Sequence, residues 1–232
     1  MKKFVNFFYL TKYVIIYIEG KTMINTLPKK IQNIVLNLNY TIDEIGRSQD
    51  QVIIFNNTYV LKISQNKEML LREKQANDWL NGKIPCAKSI AFEEHNNKYY
   101  YLRTCIKGSN LISKRYLDNP KLLIDILAEA VNALKSIKDC PFNSTDNQGN
   151  DFIHGDLCLP NIFADENDKF AGFIDLANSG LGDKWYDYAW MLWSLNYNLK
   201  TTQYHKVILD KINEQYDEEK YKTYIPKEYL WL

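Results

Sequence analysis

A chain of 232 residues, 46% hydrophobic and 25% charged with 9 Gly and 6 Pro, is long enough to bury a sizeable core and is neither disordered nor fibrous in composition. Its 29 Lys and Arg against 28 Asp and Glu leave a net charge of +1, which excludes a general electrostatic attraction to nucleic acid or an acidic membrane; any partner must be recognised by a local site. Cys86, Cys105, Cys140 and Cys158 contain no CxxC pair, and His95, His154 and His205 are equally scattered; this pattern speaks against a zinc ribbon or thioredoxin-type motif and suits reduced thiols in a cytoplasmic protein.

Residues 1–23, MKKFVNFFYLTKYVIIYIEGKTM, imitate a targeting signal, with Lys2 and Lys3 before an apolar run. Asn6, Thr11 and Lys12 interrupt the run and no small-x-small cleavage site follows, so the stretch is too broken for a signal peptide or a membrane span. Met23 reads as an alternative start and residues 1–22 as an N-terminal extension; a weak membrane anchor is the rival. From Thr41 to about Cys105 the chain reads as strands with one helix. QVIIF and TYVLKI flank Asn56-Asn57, a tight-turn dipeptide, and form a hairpin. NKEMLLREKQANDWLNG is a helix closed by Gly82 with the breaker Pro85 beyond it, and KYYYLRTC is another strand.

From Pro120 the period changes. PKLLIDILAEAVNALKSI places Leu123, Ile126, Leu127, Ala130, Val131, Leu134 and Ile137 on one stripe, with Pro120 near its start. NIFA and KFAGFID form a short hairpin turning at Glu166-Asn167-Asp168. DKWYDYAWMLWSL is apolar nearly all round and reads as a buried helix with Asp183 at its N-cap, followed by two amphipathic helical segments. Residues 23–105 are therefore expected to form a sheet-rich N-lobe and residues 106–232 a helical C-lobe, with a ligand cleft between them.

The chemistry concentrates in DFIHGDLCLPNIFADENDKFAGFIDLANS, residues 151–179. Asp156 and Asn161 are separated by four residues and Asp175 follows the hairpin. That is the spacing by which protein kinases orient a nucleophilic hydroxyl with the first Asp and hold magnesium with the Asn and the second Asp. Taken singly, each residue has a plainer explanation: His154 is a packed residue bonded to backbone, and Asn161 or Asp175 caps a turn. In the N-lobe, alternation puts Tyr59, Leu61 and Ile63 on one strand face and Val60 and Lys62 on the other. On the next helix Glu73 falls in the stripe Met69, Glu73, Ala76, Leu80, where a carboxylate needs a partner, and Lys62 supplies it. Alone, both would be read as solvated; beside the Asp156 block they read as the kinase-type pair that aims an ammonium at the nucleotide phosphates. Gly46-Arg47-Ser48-Gln49-Asp50 could lie over the phosphates but lacks the P-loop pattern, and Thr104 to Ile106 would be the inter-lobe hinge.

HGDLCLPNIF, GFIDLANSGLGDKWYDYAW and WLNGKIPCAKSI resemble the aminoglycoside phosphotransferases, in particular the bacterial 3'-phosphotransferases acting on kanamycin and neomycin, over a span from about Met23 to the end of the chain. The resemblance implies an α+β, two-lobed protein-kinase-like fold: a small antiparallel-sheet N-lobe with one main helix, and a helical C-lobe. It implies ATP and Mg2+ as cofactors and an aminoglycoside antibiotic as the small-molecule partner, in a resistance role that needs neither nucleic acid nor membrane and is served by a monomer or weak dimer. Carried onto matching positions, Asp156 is the catalytic carboxylate, Asn161 and Asp175 are magnesium ligands, and Lys62 with Glu73, Ser48, Thr104 and Ile106 serve the nucleotide. Asp187 braces the catalytic loop. Relatives carry several dozen more residues before HGD, where this chain has only NSTDNQGN between Phe142 and Asp151, so part of the drug wall is expected to be missing. Val60 stands where some relatives stack an aromatic on adenine, and Tyr229 beside Glu228, after Pro226, departs from the usual terminal helix. The acids left to attract a polycation are Asp183, Glu228 and the run Asp217-Glu218-Glu219. A shortened, non-catalytic nucleotide-binding protein, a kinase for another small alcohol and a magnesium phosphohydrolase are the competing readings.

Overall fold

Asn56 and Asn57, both with φ near +50°, turn strand β2 (Gln51–Phe55) back onto β3 (Tyr59–Ser64), a backbone shape that Asn tolerates better than most residues. The computed structural model describes residues 23–43, 50–145 and 148–229, so the expectations for residues 1–22 and for Ser48 in its loop lie outside the described residues. Helix α1 (Lys29–Val35) and β1 (Tyr40–Asp43) precede the hairpin; α2 (Lys67–Leu80), β4 (Ser89–His95) and β5 (Lys98–Thr104) follow it. The five strands form one antiparallel sheet in the order β1-β2-β3-β5-β4. Alternation divides its faces as the sequence indicates. Leu61 and Ile63 join Ile53, Tyr100 and Leu102 in a cluster covered by Ile31 and Val35 of α1. Val60 and Lys62 share the other face with Arg103 and Tyr101, their register partners, and α2 lies there. Helix α1 carried no signal strong enough to be read from its seven residues; it forms because Ile31 and Val35 are fully buried on the sheet, each such burial contributing about 1.5–3 kcal/mol.

The remaining elements are β6 (Ser109–Asn110), α3 (Lys114–Leu117), α4 (Pro120–Ser136), β7 (Asp151–Ile153), β8 (Ile162–Ala164), β9 (Phe170–Phe173), β10 (Gly180–Gly182), α5 (Lys184–Leu199), α6 (Tyr204–Lys211) and α7 (Glu218–Tyr224). Pro120 occupies the first turn of α4, Asn119 caps it by accepting the Leu122 N–H, and every residue of the expected stripe is buried. The hairpin β8–β9 packs on α4, with β6 along its edge. Ala76 and Leu80 of α2 belong to the same core as α4 and α5, while Arg72 reaches across to the Ala177 and Asn143 carbonyls at 3.0 and 2.8 Å. Helix α2 is thus the element that ties the sheet to the helices. Among the described residues, no helix is long and apolar enough to cross a membrane.

Candidate active site

Strand β7 pairs with β10 and delivers His154-Gly155-Asp156 to the cleft. The turn is held from below by Asp187 of α5, only 2% exposed, whose carboxylate accepts the N–H groups of His154 at 2.6 Å and Gly155 at 2.9 Å. Burial pushes the Asp187 pKa up to about 7 against the pull of those two N–H bonds, with the Asp156 charge adding to the rise. Each of those N–H donors would be orphaned without it. Asp187→Asn, which keeps one acceptor oxygen and turns an NH2 group on the other donor, is expected to cost about 1–3 kcal/mol, read as a lowered melting temperature. Gly155 sits at φ +80°, and a Cβ there would come within 2.5 Å of the Asn178 carbonyl oxygen. Gly155→Ala is therefore expected to lose about 1–3 kcal/mol of stability in denaturant titration, combining left-handed strain with a backbone collision.

His154 is fully buried. Its Nδ1 accepts the Asp156 N–H at 3.2 Å and its Nε2 faces the Ile174 carbonyl at 3.0 Å. One acceptor and one donor nitrogen define a neutral ring, and burial, which lowers its pKa, keeps it so. His154 is a packing and bridging residue, as its plain sequence reading has it. Asn161, in a 3-10 turn entered through Leu159 and Pro160, donates Nδ2–H to the Asp156 carbonyl at 3.0 Å and to Asp156 Oδ2 at 2.9 Å. With the NH2 group so engaged, the amide oxygen is the part of Asn161 suited to a hard cation. The Ile174 N–H closes on the Asn161 carbonyl at 3.0 Å, which brings Asp175 alongside. Asp175 itself adopts φ +61° in the left-handed region, affordable for Asp and set here by the tertiary site.

Across the cleft, Lys62 Nζ donates to Glu73 Oε2 at 2.8 Å and forms a second ion pair with Asp175 Oδ1. Burial alone would lower the Lys62 pKa; Glu73 first and Asp175 second outweigh it and raise it above its ordinary value. Asp175 is held below the usual carboxylate range because Lys62 overcomes the opposing effect of burial. One residue in this network was missed by sequence reasoning: Arg103, on β5, has its Nε 3.3 Å from Glu73 Oε1, with both side chains at 4% exposure or less. Neither of those two atoms makes a well-directed hydrogen bond, so the contact is electrostatic. The signal was present, since alternation along KYYYLRT puts Arg103 on the same face as Tyr101, the register partner of Lys62. At the end of β5 the Thr104 N–H bonds the Lys88 carbonyl at 2.9 Å and the Cys105 N–H bonds the Thr58 carbonyl at 2.8 Å. Ile106 follows against Gly172 of β9, so residues 104–106 pass from the sheet to the helical part.

The remaining acids are largely occupied. Asp183 caps α5 and accepts the Tyr224 hydroxyl at 2.7 Å, Asp217 caps α7, and Glu218 pairs with Lys222 at 2.6 Å. Asp217, Glu218 and Glu219 rim an open hollow of about 800 Å3 floored by Trp185, and a second hollow of about 320 Å3 lies behind Asp187 between α4, β7 and α5. Neither hollow is lined by Asp156 or Asp175. Among the described residues no group of three or more His, Cys, Asp or Glu side chains is arranged to hold a metal by itself; a site of one carboxylate and one amide oxygen requires phosphate and water oxygens to complete it, which suits Mg2+.

Residues 147–218 match the model of the phosphotransferase enzyme family. The chain is 30% identical to a probable aminoglycoside 3'-phosphotransferase of Lactococcus lactis, across 83% of this chain and 90% of that protein. It is 32% identical to an aminoglycoside 3'-phosphotransferase of Enterococcus faecalis, across 66% of this chain and 76% of the relative. The first of these alignments runs over 238 positions, more than the share of this 232-residue chain it takes in, so the relative carries segments that this chain lacks. In three dimensions the aminoglycoside phosphotransferase APH(3'')-Id of Streptomyces rimosus superposes with a TM-score of 0.66 at 16% identity, covering 79% of this chain and 90% of that one; the same enzyme has been solved with ADP and streptomycin. The fold is α+β and kinase-like, and by its relatives the chain belongs to the aminoglycoside phosphotransferase family of transferases.

Proposed function

We propose that this protein transfers the γ-phosphate of Mg-ATP to a hydroxyl of an aminoglycoside of the kanamycin or neomycin type. The carrying observation is the Lys62 ammonium set between Glu73 and Asp175, beside the Asp156–Asn161 pair. In this reading Asp156 accepts a hydrogen bond from the acceptor hydroxyl and takes its proton as the oxygen attacks the γ-phosphorus; the bond to the β,γ-bridging oxygen breaks and ADP leaves with the electron pair. Lys62, aimed by Glu73, would meet the phosphates, and Asp175 with the Asn161 amide oxygen would hold the cation. Bound Mg2+ would neutralise the charge that builds on the transferring phosphoryl group. Thr104 and Ile106 would meet the base through their backbone, and Ser48 would serve the phosphates.

The test has two arms. Purified protein with Mg-ATP should place phosphate on kanamycin or neomycin, and expression in a susceptible bacterium should raise kanamycin tolerance above that of Asp156→Ala. Equal tolerance of the two, no higher than vector alone, would sink the proposal. The segments missing relative to the Lactococcus lactis protein favour one other reading, a member that binds nucleotide without transfer; calorimetric binding of Mg-ATP with no turnover on any acceptor is its mark.

A further inference from the structure

The 3-10 turn that follows Asp175, Leu176–Asn178, lies against α2. Asp175 opens the turn in the left-handed region, φ +61°, a conformation that costs free energy unless the surroundings hold it. Each carbonyl of the turn has its own partner, as the end of a short helix requires. That of Leu176 accepts the Ser179 N–H at 3.1 Å and the Ser179 hydroxyl at 2.8 Å. That of Asn178 accepts the Ser144 hydroxyl at 2.9 Å. The middle one, of Ala177, accepts Nε–H of Arg72 at 3.0 Å, a residue of α2. Nη2–H of the same guanidinium reaches the Asn143 carbonyl at 2.8 Å. One half-buried planar group therefore joins α2, the turn after Asp175 and the segment before β7, with both bonds running to main-chain carbonyls.

We propose that Arg72 is the positioning residue of Asp175: by fixing the Ala177 carbonyl against α2, it holds the Asp175 carboxylate in line with Lys62 and the Asn161 amide oxygen. The affinity of the site for its cation then depends on how α2 is seated. This rests on the phosphotransferase reading, in which Asp175 holds Mg2+, and names a residue which that reading does not use. Neighbours in sequence support it. Glu73, the next residue of α2, aims Lys62, and Asp175 stands two residues before Ala177. Gly155, beside Asp156, packs so closely on Asn178 that no Cβ fits between them. A shift of the Ala177 carbonyl would be passed back to Asp175 through the short stretch of backbone between them. A charged donor also makes the stronger bond to a carbonyl, so Arg72 is suited to hold a turn whose first residue is strained.

Calorimetric titration of the full chain with ADP, once with Mg2+ and once in EDTA, tests this without requiring turnover. Arg72→Met keeps the aliphatic stem and removes both donors. It is expected to weaken ADP binding about tenfold with Mg2+, the low end of what an outer partner of a metal ligand contributes, and by less than about twofold in EDTA. Arg72→Lys, able to reach one of the two carbonyls, should lose about threefold with Mg2+. A residue that merely tied the sheet to the helices would lower both affinities by the same factor. An equal loss in the two titrations, or Mg-ADP affinity within about twofold of native in Arg72→Met, overturns the assignment. Should Arg72→Met fail to melt cooperatively, Arg72→Lys carries the same comparison. Native protein that binds ADP no more tightly with Mg2+ than in EDTA would instead strike Asp175 as a cation ligand, and absence of any ADP binding would strike the phosphotransferase reading itself.

Discussion

Asp156→Asn is expected to lower phosphoryl transfer by roughly 10²–10⁴-fold, the range in which a positioned general base acts, while Mg-ATP affinity measured by calorimetry stays within about threefold of the native value, the margin allowed for an isosteric change that adds no bulk. The separation follows from how Asp156 is held. Its backbone N–H is fixed by His154 and its carbonyl by Asn161, so the loop keeps its path whatever the side-chain charge, and an amide oxygen at position 156 still accepts the Asn161 N–H. What disappears is the capacity to take a proton from the attacking hydroxyl. Transfer at near-native rates in Asp156→Asn would remove Asp156 from the chemistry and with it the assignment of this loop.

Glu73→Ala should be the most damaging single change to stability. Glu73 is 2% exposed and neutralises two cations at once, Lys62 at 2.8 Å and Arg103 at 3.3 Å. Removing it leaves those two positive groups facing each other with only Asp175 as counter-charge, and breaking a buried ion pair from one side costs about 3–5 kcal/mol. For a chain of this size that corresponds to a fall in melting temperature of roughly 6–20 °C. The double variant Glu73→Ala with Arg103→Met, which removes the now-unpaired guanidinium, is expected to recover about 1–3 kcal/mol of the loss, as coupled neighbours do in a double-mutant cycle. Full additivity of the two substitutions would show that Arg103 has no energetic link to Glu73. Nucleotide binding should weaken in Glu73→Ala even where the protein stays folded, because Lys62 loses the carboxylate that aims it.

Much of the site could be read from local pattern because its parts are short-range. The Asp156-to-Asn161 interval is closed by hydrogen bonds five residues apart, and the hairpin that brings Asp175 back is turned by the Glu166-Asn167-Asp168 segment, Asp168 at φ +59°. Lys62 and Glu73 were joined by a different logic, alternation on a strand and a charge in an apolar helical stripe, which depends only on each element burying one face. Arg103 obeyed the same alternation but was passed over, because an Arg at a strand end is usually solvated and nothing local shows that α2 covers it. Helix α1 was invisible for the converse reason: seven residues are too few for a periodic signal.

The sequence by itself determined most of the strand and helix pattern, the cap at Asp183 and the carboxylate, amide and ammonium groups of the site, since periodicity, turn chemistry and capping act within a few residues. Only the tertiary structure decided that Glu73 is shared between two cations, that Lys62 reaches Asp175 113 residues away, and that α5 turns Ser194 toward the loop between Asp156 and Asn161. Those are matters of which buried faces meet, and the free energy that selects them comes from burial and ion pairing between elements distant in the chain.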